Sequence, residues 1–166
     1  MDQVNVQFNE QVDKEIVNDT VNDTVNDTVN DIIDIFKLYP DIFPGGYFRF
    51  LKSKIHKKIE KNEIIFKDGV VLTWTKYKRK TKLTPSMSII KGEIKINQLV
   101  NQNQGNGLAK KIFVDFIRDN PTTLYLDVKS DNERAIEFYK KNNFKPIGEK
   151  IFGKNIKGIV MKRQFN

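Results

Sequence analysis

The hydrophobic period of the chain changes at Gly105. Before it, Ile94 and Ile96 alternate with polar residues as in a strand, and after it Leu108, Ile112 and Phe116 recur at helical spacing. The two glycines of the turn between them let backbone N–H groups approach a phosphate, and a helix N-terminus adds partial positive charge. We therefore predict a layered α/β domain with a phosphate-binding turn, the alternative being a purely structural turn.

The remaining elements follow from the same periods and from turn residues. A hairpin is expected around Asp68-Gly69, and a helix is expected from Ser130, which starts a capping-box pattern with Glu133. The predicted order is helices at 32–38 and 47–61, strands at 63–67, 70–77 and 86–100, a helix from 105 to 120, a strand at 122–128, a helix at 130–142, and strands at 144–152 and 156–163.

A four-residue unit, VNDT, repeats over residues 17–31. Its valines would form a stripe on a helix, but Asn, Asp and Thr are poor helix formers, so we expect weak order rather than a rigid helix. We divide the chain into an acidic low-complexity segment at 1–30 and one folded domain at 31–166.

Several classes of site are excluded by composition. The chain has no cysteine and one histidine, His56, so a Cys nucleophile, a disulfide framework and a thiolate metal site are ruled out, and no metal site is predicted. No apolar run approaches the roughly 20 residues that cross a bilayer, and the polar start lacks the pattern of a signal peptide. We expect a cytoplasmic protein without a membrane partner.

Charge is distributed unevenly. Residues 1–28 hold seven acids against one base, Lys14, a net charge of −6, and since the whole chain carries +8, residues 29–166 carry +14. Such an excess predicts a polyanionic ligand or partner for the folded part.

Two motifs in order resemble the GNAT acetyltransferases. Gln102, Gly105 and Gly107 match the phosphate loop Gln/Arg-x-x-Gly-x-Gly/Ala, and Asn132 opens a match to the second motif, Asn-x-x-Ala-x-x-Phe-Tyr. The rest of the second match comprises Leu126-Asp127-Val128, Ala135, Phe138-Tyr139 and Asn143-Phe144. The resemblance implies a GNAT fold of α+β type: a mixed, mostly antiparallel sheet of six to seven strands, splayed at the cofactor site and flanked by about four helices.

The resemblance also implies a cofactor, acetyl-CoA or another acyl-CoA. Its pantetheine arm would lie along Leu99, Val100 and Asn101, and Asn132 would bind the arm near its helix. The loop that would hold the pyrophosphate comprises Gln102, Gln104, Gly105, Asn106, Gly107, Leu108 and Ala109. Asn103 and Gln104 replace the usual Gly-Arg pair, and Lys110 and Lys111 are candidates to restore the lost cation.

The catalytic residues that the resemblance implies are Tyr139 and Glu93. Tyr139 would protonate the departing thiolate, the alternative being an aromatic packed under the cofactor. Glu93 aligns with the general base of histone-type enzymes only if two residues are deleted before Gln102, and a water relay or an ordinary strand-end glutamate is the alternative.

The expected activity is N-acyl transfer, most simply N-acetyl transfer, by direct attack of an amine on acyl-CoA. Basic surfaces disfavour cationic acceptors and favour an amine carried on a nucleic acid or an acidic protein. One alternative is a DNA-modifying enzyme like the phage Mom family, and another is a non-catalytic module that binds coenzyme A or nucleic acid. The sequence leaves open a monomer or a homodimer.

Overall fold

The computed structural model describes residues 23–40 and 51–165, which form eight strands and four α-helices. Helix α1 covers residues 23–37. The other helices are α2 (Leu51–Glu60), α3 (Leu108–Asp119) and α4 (Glu133–Lys141). The strands are β1 (Ile64–Lys67), β2 (Val70–Lys76), β3 (Thr81–Thr84), β4 (Met87–Ile89), β5 (Ile94–Asn101), β6 (Leu124–Lys129), β7 (Lys145–Phe152) and β8 (Ile156–Arg163).

Six strands form one sheet in the order β1-β2-β5-β6-β8-β7, and β3 pairs with β4 in a separate hairpin. Every neighbouring pair in the large sheet is antiparallel except β5 and β6. The predicted mixed, mostly antiparallel sheet is confirmed. None of the described helices is long and apolar enough to cross a membrane.

The parallel pair β5–β6 separates part of the way along. Pairing runs from Ile94 opposite Leu124 to Ile96 opposite Leu126, whereas β5 continues to Asn101. Against β2 the register shifts at the same place, because Asn97 is an extra residue in β5 between the pairs Thr73–Gln98 and Trp74–Ile96. A β-bulge bends its strand. The bulge therefore accounts for the predicted splay, which the structure shows.

The sheet buries apolar side chains on both faces, because strand residues alternate. In β2, Val71 faces α1 and α2, while Val70 and Leu72 face α3 and α4. The larger core includes Ile112, Phe113, Phe116, Leu124, Leu126, Ile136, Phe144 and Met161, and the smaller one includes Val29, Ile32, Phe36, Leu51, Ile55 and Val100.

The VNDT repeat departs from the prediction. Residues 23–31 belong to helix α1, so the expectation of weak order is wrong for them. Val29, Ile32 and Phe36 are almost fully buried, and their burial outweighs the poor helix propensity of Asn, Asp and Thr. Residues 17–22 of the repeat lie outside the described ranges, and the domain division at residue 30 stays a prediction.

The predicted long strand from 86 to 100 is wrong as one element. It is split into β4 and β5 around Gly92, whose φ of 90° is in the left-handed region and interrupts an extended chain. Between the predicted strands at 70–77 and 86–100, the structure adds strand β3, which is stabilised by pairing with β4.

Two predicted helix ends can also be compared. Helix α4 is capped by Asn132, whose Oδ1 accepts from the Ala135 amide at 3.1 Å, and not by Ser130, whose hydroxyl donates to the Lys157 carbonyl. After α4, Asn143 has φ 65°, in the left-handed region that ends a helix. Residues 47–50 of the predicted second helix lie outside the described residues.

Candidate active site

Two cavities meet where β5 leaves β6. They have volumes of about 480 and 350 Å³ and share Leu99, Asn132, Ala135 and Tyr139 as lining residues. The first reaches the glycine loop at Gln104, and the second follows β5 and β6. We refer to the two together as the splay cleft.

The β5 side of the cleft carries unpaired backbone. Among the described residues, the strand has no partner on its β6 side beyond Ile96, although Leu99 and Val100 still pair with β2. Peptide groups on that edge can hydrogen-bond an extended ligand as a missing strand would. The structure therefore places Leu99, Val100 and Asn101 along the cleft, with the Val100 side chain in the opposite core.

The loop that leads into α3 depends on two glycines. Gly105 has φ 90° and Gly107 has φ 74°, a region that other residues avoid, while a Cβ at either position would meet nothing within 4 Å. Within the described chain, the amides of Gly105, Gly107 and Ala109 have no acceptor. Free amides at a helix N-terminus form an anion site.

Not every predicted loop residue faces a ligand. Asn106 Oδ1 accepts from the Leu108 amide at 3.1 Å, so that amide is already paired. The Gln102 amide donates to the Gly69 carbonyl at 2.9 Å, and Gln102 lines neither cavity of the cleft. Both residues shape the loop from within.

A cation that sequence reasoning missed lies beside the loop. Arg134 donates from Nη1 to Gln104 Oε1 at 2.8 Å, and Gln104 Nε2 lies 3.1 Å from the Tyr39 hydroxyl. Tyr39 in turn donates to the Asn101 carbonyl at 2.6 Å. The chain thus brings an arginine to the loop from α4, whereas the predicted Lys110 and Lys111 lie exposed on α3. In the sequence, the arginine between Asn132 and Ala135 could have indicated this cation.

Tyr139 lies where the two cavities join. Its partly buried ring packs against Phe113, Phe138 and Phe144, with centroid distances of 5.7, 5.4 and 5.9 Å. Desolvation by burial raises the pKa of Tyr139 to about 12, so the phenol is protonated at neutral pH. No hydrogen bond joins its hydroxyl to another of the described residues.

The structure does not bring Glu93 to Tyr139. The Glu93 carboxylate accepts from the Ile90 amide at 2.8 Å and from the Tyr125 hydroxyl at 3.4 Å, and it lines neither cavity of the cleft. It precedes Leu99 by six residues, about 20 Å along an extended strand. Burial, assisted by the Glu93 charge, raises the pKa of Tyr125 to about 12. In this arrangement Glu93 holds the turn before β5.

Asp127 is the carboxylate that the cleft does contain. Its side chain is 9% exposed, and Oδ2 accepts from Lys95 at 2.6 Å and from Lys150 at 2.8 Å. Oδ1 is buried without a hydrogen-bond partner among the described residues. A buried carboxylate oxygen normally has a partner, and Asp127 shares the second cavity with Tyr139. In the sequence, an acid inside the apolar strand Leu126-Asp127-Val128 could have indicated this site residue.

Two amide side chains connect the cleft with a third cavity, of about 290 Å³, under α2. Asn97 and Gln98 line both, and they accept from Thr75 at 2.9 Å and from Thr73 at 2.5 Å. The face of the sheet next to the cleft is therefore polar.

Comparison with known proteins agrees with this geometry at the level of the fold. No protein-family model matches the sequence, and no curated protein matches it. Among solved structures, an N-acetyltransferase from Staphylococcus aureus Mu50 is 14% identical, with a TM-score of 0.59 over 85% of this chain and 94% of that one. PH1933 from Pyrococcus horikoshii OT3 is 21% identical, with a TM-score of 0.59 over 83% and 90%.

A third solved structure, described as a GNAT-family acetyltransferase from Desulfovibrio desulfuricans, is 9% identical, with a TM-score of 0.61 over 83% of this chain and 92% of that one. The chain has the fold of the GNAT acetyltransferases.

Proposed function

We propose that the protein is an N-acyltransferase that moves an acyl group, most simply acetyl, from acyl-CoA to an amine by direct attack. The observation that carries the proposal is the splay cleft itself. Its two adjoining cavities are lined by the edge of β5 beyond Ile96, by the loop before α3 and by Tyr139. Each of these supplies a group that a coenzyme A thioester needs.

The residues fit the cofactor's charges. The free amides of Gly105, Gly107 and Ala109, the dipole of α3 and the Arg134 guanidinium form an anion site suited to a pyrophosphate. The β5 edge from Leu99 to Asn101 suits the two amides of pantetheine. Asn132 caps α4 through Oδ1, which leaves its NH₂ group for the cofactor arm. When bound, acyl-CoA supplies an activated acyl group on a thiol leaving group.

The Tyr139 hydroxyl is suited to stabilise the departing thiolate. Because burial raises its pKa to about 12, the phenol keeps its proton and donates a hydrogen bond to the developing negative charge. In the net reaction a C–N bond forms, the C–S bond breaks, and the thiolate, stabilised by the hydrogen bond from Tyr139, takes a proton from solvent.

The attacking amine has to lose a proton. We assign that proton to the carboxylate of Asp127, in place of Glu93, because Asp127 lines the cavity shared with Tyr139 and its buried Oδ1 has no hydrogen-bond partner among the described residues. Lys95 and Lys150 hold the other oxygen and so orient the carboxylate.

Titration with acetyl-CoA by isothermal calorimetry tests the proposal. Gly105→Asp places a carboxylate in the anion site, and Gly92→Asp is the matched control, because both glycines have φ 90° and open space around the Cβ position. We expect wild-type binding to weaken at least 100-fold in Gly105→Asp and to stay within threefold in Gly92→Asp. Absence of binding by the wild-type protein, or equal losses in both variants, would contradict the proposal.

A further inference from the structure

The third cavity, under α2, has a strongly basic wall. Lys54, Lys57, Lys58 and Lys61 line it, and Glu63 is its single acidic lining residue. Its floor is Asn97 and Gln98, which also line the splay cleft. A molecule that enters the cleft from this side therefore passes the lysines of α2.

Two of these lysines carry charge that no described ion pair compensates. Lys58 is paired with Glu63, at 3.0 Å, and it also donates to Thr75 Oγ1 and to the Trp74 carbonyl. Burial lowers the pKa of Lys58, opposed by Glu63. Lys57 and Lys61 are exposed, one helical turn apart, and neither forms an ion pair within the described ranges. They are free to bind anions.

A second set of cations lies at residues 76–82, which run from the end of β2 to the start of β3 and which we call the basic loop. Residues 76–82 contain five bases and no acid, and none of the five has an ion pair among the residues described. Tyr77 anchors the loop to the turn before β5, because its amide donates to the Glu93 carbonyl at 3.0 Å. Burial, together with the charge of Asp127 in the cleft, raises the pKa of Tyr77. The five bases are Lys76, Lys78, Arg79, Lys80 and Lys82.

We propose, building on the transferase function, that the acceptor is an amine on a base of a single-stranded nucleic acid, whose backbone lies on the α2 lysines and the basic loop. A polynucleotide carries a phosphate at every residue, so it can meet both sets while one base enters the cleft. A duplex would hide the base in its stack.

The polar floor favours a base over an acidic peptide. The carbonyl oxygens of Asn97 and Gln98 accept from Thr75 and Thr73, and within the described chain their NH₂ groups have no partner. Side-chain amides of this kind pair with the edges of bases. In the reaction, the base nitrogen forms a bond to the acyl carbon, the C–S bond breaks, and the nitrogen's proton passes to the carboxylate of Asp127.

Fluorescence anisotropy with labelled 20-nucleotide single strands of mixed sequence, as RNA and as DNA, tests the surface. The variants Lys57→Gln/Lys61→Gln and Lys78→Gln/Lys80→Gln each remove two charges. The control Lys140→Gln/Lys141→Gln removes two charges from α4 on the other face of the sheet.

We expect each test variant to bind at least fivefold more weakly and the control to stay within twofold. The slope of log K against log salt is negative for such binding. Loss of two single-strand phosphate contacts should make that slope shallower by about 1.4. Transfer of radiolabelled acetyl to the oligonucleotide is expected from wild-type protein.

Equal affinities in all variants, or tighter binding of a 20-residue poly-glutamate peptide than of either oligonucleotide, would overturn the inference. So would oligonucleotide binding without any acetyl transfer. The acetyl-CoA titration separates the two proposals: cofactor binding without oligonucleotide binding refutes only this inference, and absence of cofactor binding refutes the transferase function.

Discussion

Replacing Tyr139 with Phe removes one hydroxyl from the splay cleft and little else. The ring contacts with Phe113, Phe138 and Phe144 do not involve the hydroxyl. Because the lost group has no partner among the described residues, we expect the free energy of unfolding to change by less than about 0.5 kcal/mol. Acetyl-CoA affinity should also be kept. Any loss of turnover then reports on the chemical step.

The size of that loss follows from the pKa of Tyr139. A phenol of pKa about 12 that gave its proton completely to a thiolate of pKa roughly 8.5 would do so uphill, by about 5 kcal/mol. The phenol therefore acts mainly as a hydrogen-bond donor. A hydrogen bond to a charged group contributes about 1.5–3 kcal/mol, which corresponds to a decrease in kcat of roughly 10- to 150-fold.

The assay is release of coenzyme A thiol from acetyl-CoA with an acceptor that supports turnover, beside calorimetric measurement of acetyl-CoA binding. Tyr125→Phe is the matched control, because burial raises its pKa to about 12 as well but its hydroxyl lies 3.4 Å from Glu93, away from the cleft. We expect the control to keep kcat within twofold. An unchanged kcat in Tyr139→Phe, or a loss caused by weaker cofactor binding, would refute the assigned role.

Three further predictions concern the packing of α1, the proposed general base Asp127 and the pKa of Tyr139. Val29→Ala should lower the free energy of unfolding in urea by roughly 1–3 kcal/mol, because Val29 is fully buried, and exposed Asn30→Ala should not; equal effects would contradict the packing of α1. Asp127→Asn should slow acetyl transfer at least 100-fold, as loss of a general base does, while acetyl-CoA binding is kept. An unchanged rate of transfer would mean that another group is the general base. Between pH 10 and 12 the wild-type protein should lose roughly 2 kcal/mol more stability than Tyr139→Phe, since the pKa is raised in the folded state and the unfolded chain gives up the proton first; parallel pH profiles would contradict the burial of that hydroxyl.

The elements that the sequence predicted well are those where pattern and packing agree. The change of period at Gly105 locates β5, the loop and α3, because strand and helix each bury an apolar face there. The VNDT repeat was predicted to be weakly ordered because its residues have low helix propensity. The structure differs because Val29 is buried in a core that the local sequence does not reveal. Strand β3 was missed for a similar reason, since its pairing with β4 is a tertiary contact.

The sequence indicated the residues of the candidate site that we propose to hold the cofactor better than those that we propose to meet the acceptor. Gly105, Gly107 and Tyr139 lie in motifs with fixed local geometry. Asp127 looked like an ordinary polar residue of a strand, and its unpaired oxygen and its two lysines, from β5 and β7, become visible only when the sheet is assembled. Glu93 was predicted from the family resemblance. The structure places it just before the start of β5, whereas the cleft lies along the end of that strand.

The central claim is that the splay cleft holds acyl-CoA, and amide chemical-shift mapping tests it most directly. Uniformly ¹⁵N-labelled protein would be titrated with acetyl-CoA and its amide shifts followed. The account predicts that the largest changes lie in Leu99 to Asn101 on β5 and in Gln104 to Ala109 of the loop, with small changes in β3 and β4. Saturable shifts concentrated elsewhere, or no shifts at millimolar acetyl-CoA, would contradict it.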